Sequence, residues 1–264
     1  MASPFDKQAD FYASARPSYP SEWFDMLSSL TPHHAVAWDA GTGTGQAAIA
    51  LAKHYDRVVA TDVSEAQLSR AAPHPRVRYA HTPASMTEDE LVAALGGEGS
   101  PVDLVTAAQA VHWFDLPKFY GVVDRVLRRP GGVVAVWGYR EIRVGPSFDP
   151  ALSRFISTTM PYWDPNIRHF LEGYRNLPFP FDAVGVGAEG EPATLEMRKD
   201  VSFDGFLGLL RSWSGVNTAK ERGVDLLRPE VVAELEAAWG GRSLVRTVTY
   251  TAFMIAGKPR REST

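Results

Sequence analysis

Gly41, Gly43 and Gly45 stand at alternate positions in the run Trp38-Asp39-Ala40-Gly41-Thr42-Gly43-Thr44-Gly45-Gln46, and a second acid, Asp62, follows Gly41 by 21 residues. Glycine lets a backbone take conformations closed to other residues and come close to a ligand. Open N–H groups where a helix begins favour a negative group beside them. An acid about 20 residues beyond the first glycine, at the end of the next strand, is placed to accept hydrogen bonds from two ribose hydroxyls. These residues predict a site for a nucleoside-bearing cofactor, with Asp39, Gly41, Thr42, Gly43, Gly45, Gln46, Asp62 and Val63 as its candidates. The dinucleotide pattern G-x-G-x-x-G/A wants a small residue at its sixth position, which here is Gln46, so a nicotinamide cofactor is disfavoured.

A second group of chemically able residues is Gln109, His112 and Trp113, in a run that ends a predicted strand. Ligands in open α/β sheets sit at the carboxyl ends of the strands. His112 reads either as a histidine that holds its loop or as a hydrogen-bond donor or general base for the group being modified. Trp113 reads as a wall of the cofactor pocket, since a large aromatic at a strand end needs somewhere to bury.

The elements that must position these residues alternate regularly. Apolar runs predict strands at about 35–39, 57–61, 77–80, 102–106 and 133–137. Helical patterns lie between them at 44–54, from Ser64, at 87–95 and at 116–127. Such alternation implies a doubly wound parallel sheet. Before it, helical spacing from Phe5 and a second helix at 22–30 capped by Ser21 are expected, broken by Pro17 and Pro20. After Tyr139 prolines and aromatics multiply, interleaved with Arg140, Arg143, Arg154, Arg168 and Arg175. A sixth strand is expected at 194–201, further helices around 206–213 and 226–238, and a last strand at 244–256, with a frayed basic tail at 258–264.

The chain has 264 residues, 45% of them hydrophobic and 22% charged, as in ordinary globular proteins. Its 27 basic and 31 acidic residues give a net charge of −4, so bulk charge does not point to nucleic acid. No apolar run approaches the roughly 20 residues that cross a bilayer, and the polar start is no signal peptide, so a cytoplasmic protein without membrane contact is expected. Cysteine is absent, which excludes disulfides and a thiolate nucleophile. The seven histidines form no H-x3-H or H-E-x-x-H pair, so no metal site is expected. A monomer or a homodimer acting on a small molecule is the expected state.

The pattern Asp39-x-Gly41-x-Gly43-x-Gly45 resembles the first motif of the class I S-adenosylmethionine-dependent methyltransferases, and Asp62 resembles their ribose-binding acid. The turn Pro130-Gly131-Gly132 resembles the same family's L-x-P-G-G element, and Gln109-Ala110-x-His112-Trp113-Phe114-Asp115 and Arg211-Ser212-Trp213-Ser214 resemble its trans-aconitate methyltransferase-like branch. So do the segments Phe11 to Pro20 and Trp163 to Phe181, and the likeness runs from about Phe5 to Ala256.

The resemblance implies a Rossmann-like, doubly wound, seven-stranded sheet whose last strand is antiparallel. It implies lid helices at 1–34, a cofactor-binding core at 35–139, a substrate cap inserted after strand five at 140–193, and a return to the core at 194–257. The cofactor implied is S-adenosylmethionine, with S-adenosylhomocysteine as product. Tyr12 and Arg16 of the lid, Ala84 in the place that holds adenine, and Gln109 join the cofactor-binding candidates. Ser85 stands where many relatives have an acid, which leaves that contact to the backbone.

Methyl transfer from a sulfonium is an in-line displacement on an activated donor, so holding the partners in line and dry does much of the work. A carboxylate acceptor is a ready anion and needs only donors to position it. A phenol or amine would need a base, and His112 is the catalytic candidate. Tyr19, His112, Tyr139, Trp163, Arg168, Tyr174, Arg211 and Trp213 are the substrate-binding candidates. O-methylation of a carboxylic acid is the favoured expectation. The alternatives are a phenol or amine acceptor, or a non-catalytic protein that binds S-adenosylmethionine or a nicotinamide cofactor.

Overall fold

The strand Val36–Ala40 (β1) buries all five of its residues, as a strand covered on both faces by helices must. In the computed structural model, which describes residues 18–97 and 101–260, β1 pairs in parallel with Arg57–Asp62 (β2) on one side and Leu104–Ala108 (β4) on the other. Val77–His81 (β3) extends the sheet beyond β2, and Val133–Arg143 (β5) extends it beyond β4, both in parallel. The remaining strands are Asp182–Ala183 (β6), Ala193–Ser202 (β7) and Val245–Lys258 (β8). The order is β3-β2-β1-β4-β5-β8-β6, with β7 also paired to β8, and β6 runs antiparallel to β8.

The doubly wound sheet is therefore present, with eight strands rather than the seven expected. The addition is β6, whose two residues are too short to leave a periodic signal. It takes the edge beyond β8, while the strand expected as the sixth is β7, off the main path. The helix Ser21–Ser29 begins after Pro20, and Ser21 does not cap it: its hydroxyl points to Glu22 instead.

Contacts divide the described residues into two compact units. The first comprises residues 18–140, 168–195 and 252–260, and the second comprises 141–167 and 196–251. Both the expected cap at 140–193 and the expected return at 194–257 are split by this division. In the first unit, Asp103 staples the amino-terminal end of the sheet. Its carboxylate, 1% exposed, accepts the N–H groups of Ala35 and Val36 at 2.7 and 2.9 Å and pairs with Arg128. Trp38 crosses from β1 to β2 by donating its indole N–H to Thr61 Oγ1 at 2.9 Å. Thr87 and Glu90 close a reciprocal capping box on the helix Glu88–Leu95.

The second unit has its own aromatic core. Phe148 meets Phe206 and Trp239 edge-on, with ring centroids 5.2 and 5.0 Å away. Its helices Asp149–Thr159 and Pro229–Trp239 are joined by the pair Arg154–Glu234 at 2.6 Å.

Candidate functional site

β1 leads to β2 and β3 on one side, and the chain then returns to β4 on the other side of β1. The carboxyl ends of β1 and β4 are thus the switch point of the sheet, where open α/β folds bind ligands. Both groups of residues singled out in the sequence arrive there. A Cβ on Gly41 would lie 2.5 Å from Ala110 Cβ and 3.1 Å from the Phe114 ring, so the loop after β1 touches the loop after β4. Gly45, at φ +86°, lies under the tip of Tyr79: its Cβ would be 2.4 Å from the Tyr79 hydroxyl. A side chain is strained at both positions by the positive φ, and at Gly41 it also meets the fixed Cβ of Ala110.

Two acids brace this loop. Asp39 is 1% exposed and accepts the hydroxyls of Thr42 at 2.5 Å and Thr106 at 2.7 Å. Burial pushes its carboxyl up to about 6, against the hydrogen bonds from Thr42 and Thr106 and with help from the charge of Asp62. Asp62 ends β2 and accepts the backbone N–H of Gly43 at 2.7 Å on one oxygen and that of Ser64 at 2.9 Å on the other. Val63 follows, 44% exposed, an apolar residue beside the acid. Ala84 lies exposed in the segment after β3, where Met86 N bonds back to Pro83 O at 2.9 Å. Gln46 opens the helix Gln46–Leu51.

At the end of β4, Gln109 adopts φ +57°. It donates its backbone N–H to Trp137 O at 2.8 Å and its side-chain amide to Tyr139 O at 3.0 Å, tying β4 to β5. The chain then makes the short turn Val111–Trp113. His112 is buried there, with its ring 5.0 Å from Trp113 and 5.3 Å from Phe170. Its Nδ1 lies 3.0 Å from the Tyr174 hydroxyl.

Of the substrate-binding candidates, Tyr19, His112, Tyr139, Arg168 and Tyr174 belong to the first unit. Tyr19 stacks on Trp23 and meets Trp137 edge-on at 5.4 Å. Tyr139 is buried and Arg168 is exposed. Trp163, Arg211 and Trp213 belong to the second unit, where the Trp163 and Trp213 rings lie 6.2 Å apart and Trp163 donates to Thr159 at 2.8 Å. Tyr12 and Arg16 lie outside the described residues.

Thr106 and Tyr79 are the residues that sequence reasoning missed. Thr106 had one signal, a hydroxyl within the apolar run of β4, and its register puts it opposite Asp39. Tyr79 had none, because its approach to Gly45 is a tertiary contact. Among the described residues no group of three or more His, Cys, Asp or Glu side chains could hold a metal, and no helix is long and apolar enough to cross a membrane.

The donor set fits a nucleoside cofactor. An acid ends β2, an exposed apolar residue follows it, and the glycines leave a backbone surface that no Cβ obstructs. The comparisons agree. Residues 37–132 match the methyltransferase domain family. A methyltransferase of Aspergillus candidus, cfoB, is 30% identical over 74% of this chain and 68% of its own length. A protein of Dictyostelium discoideum, provisionally assigned as a methyltransferase, is 28% identical over 94% of this chain and 91% of its own. Among solved structures, a protein provisionally assigned as a type II methyltransferase from Anaeromyxobacter dehalogenans is 38% identical, covers 93% of this chain and 99% of its own, and superposes with a TM-score of 0.77.

Proposed function

Because the chain belongs to the class I S-adenosylmethionine-dependent methyltransferases, we propose that it transfers the methyl group to a carboxylate oxygen of a small-molecule acid. The cofactor supplies an electrophilic methyl group on a sulfonium, so the acceptor must be nucleophilic and in line. On this reading Asp62 accepts hydrogen bonds from the ribose, Val63 and Ala84 flank the adenine, and the loop Gly41–Gly45 lies along the remainder. Asp39, Thr42 and Thr106 hold that loop from beneath.

The observation that supports the acid acceptor is the partner of His112 Nδ1. A histidine working as a base becomes charged, and a carboxylate on its second nitrogen holds that charge. At His112 the second nitrogen faces a phenol instead, 3.0 Å away. Burial raises the Tyr174 hydroxyl well above its usual range, so it stays neutral. Such a pair suits an acceptor that arrives as an anion and needs hydrogen-bond donors more than a base. Arg168, exposed in the same unit, is the candidate counter-ion.

The test is calorimetric titration with S-adenosylmethionine and S-adenosylhomocysteine, then a methyl-transfer screen of carboxylic acids, phenols and amines at one pH. Transfer to acids is expected. Transfer confined to phenols or amines would overturn the acid reading.

A further inference from the structure

The hydroxyl of Tyr174 has one proton to give, and its surroundings leave few places for it. Tyr174 is fully buried, and among the described residues its hydroxyl bonds to His112 Nδ1. Its ring is packed edge-on against Phe253 at 4.7 Å, and Phe170 lies against both Phe253 and His112. Two arrangements are conceivable for the 3.0 Å contact. In one, the phenol donates to an unprotonated Nδ1. In the other, Nδ1–H donates to the phenol oxygen, and the phenolic proton is left in an apolar box without an acceptor. A buried donor without a partner is costly, whereas the first arrangement leaves none at this contact.

The backbone holds Tyr174 in this place. Tyr174 sits at φ +60°, a conformation that bulky residues avoid and that persists only where surrounding bonds impose it. Those bonds are present: Tyr174 N donates to His169 O at 2.8 Å, and Leu177 N donates to Tyr174 O at 3.1 Å. The segment holds an aromatic residue in a strained conformation with its hydroxyl on His112.

We infer that Tyr174 is a positioning residue that sets the tautomer of His112: its O–H donates to Nδ1, the ring proton resides on Nε2, and His112 offers the acceptor an N–H donor rather than a lone pair. The inference rests on the reading above, in which His112 faces the acceptor, and adds the residue that controls it. No covalent step is involved, and one proton is shared along the O–H···Nδ1 axis.

The experiment is long-range proton–nitrogen correlation spectroscopy on protein labelled with nitrogen-15 histidine, with the His112 signals assigned by their absence in His112→Asn. In the wild-type protein the pattern expected is an unprotonated Nδ1 and a protonated Nε2. Tyr174→Phe keeps the ring and removes the hydroxyl, so that pattern should give way to a mixture of tautomers, while calorimetric affinity for S-adenosylhomocysteine stays the same. A protonated Nδ1 in the wild-type protein would overturn the inference, whether or not the variant folds, and so would an unchanged pattern in Tyr174→Phe. Because the readout is spectroscopic, it can fail while acids are methylated, or hold while only phenols or amines are, so the two readings fall separately.

Discussion

Gly43 donates its backbone N–H to Asp62 Oδ2 at 2.7 Å, so the carboxylate proposed to hold the ribose also holds the glycine loop. Asp62→Ala is therefore expected to act on ligand and loop together. Affinity for S-adenosylhomocysteine should fall by about 1–3 kcal/mol, the cost of lost hydrogen bonds to a charged group. Calorimetric titration measures this, and an unchanged affinity would mean that the ribose is held elsewhere.

Asp39 links the same loop to pH. Its carboxyl is raised to about 6 in the folded protein from 3.8, so the folded state binds the proton more tightly than the unfolded one. The corresponding stability is fully present below about pH 4 and is lost as pH rises towards 6, a change of about 2–3 kcal/mol. Asp39→Asn keeps groups able to meet both threonine hydroxyls and cannot ionise. Relative to the wild-type protein it should gain stability between pH 4 and pH 7 in urea unfolding, and parallel curves for the two proteins would refute the assignment.

At Gly41, φ of +66° and a Cβ only 2.5 Å from Ala110 leave no room for a side chain. Gly41→Ala should cost about 1–3 kcal/mol in strain and contact, and it should weaken S-adenosylhomocysteine binding by separating the loops after β1 and β4. A thermal melt and a titration like those of the wild-type protein would show that the loops do not need this approach.

His112→Ala should lower turnover by roughly tenfold or more, the equivalent of one lost hydrogen bond of about 1.5 kcal/mol in the transition state. Affinity for the cofactor should stay within about twofold if His112 serves the acceptor. Equal losses in turnover and in cofactor affinity would mark it as a residue that only holds its loop.

Asp103 provides the contrast of a buried acid far from this chemistry. Asp103→Ala leaves two backbone N–H groups and the partly exposed Arg128 without their carboxylate. Unfolding free energy should fall by about 2–4 kcal/mol, with S-adenosylhomocysteine affinity of the folded protein unchanged. A shift in affinity would show that the amino-terminal end of the sheet communicates with the site.

The sequence by itself determined the alternation of strands and helices through β5, the turn after β1 and the acid that ends β2. All of these depend on local spacing: apolar runs of strand length, glycines where φ must be positive, and an acid at a set distance. It also brought Gln109 and His112 to a strand end, because the end of an apolar run is itself a local signal. The tertiary structure alone decided who meets whom. Asp39 and Thr106 are 67 residues apart, and His112 and Tyr174 are 62 apart. Neither pairing leaves a periodic trace, since each follows from strand register or from the path of a distant loop. The same holds for β6, too short to read, and for residues 168–195, which join the core unit although their composition resembles that of the segment before them. Whether Asp39 is braced or His112 is a donor depends on which buried hydroxyl arrives beside it, and only packing brings it there.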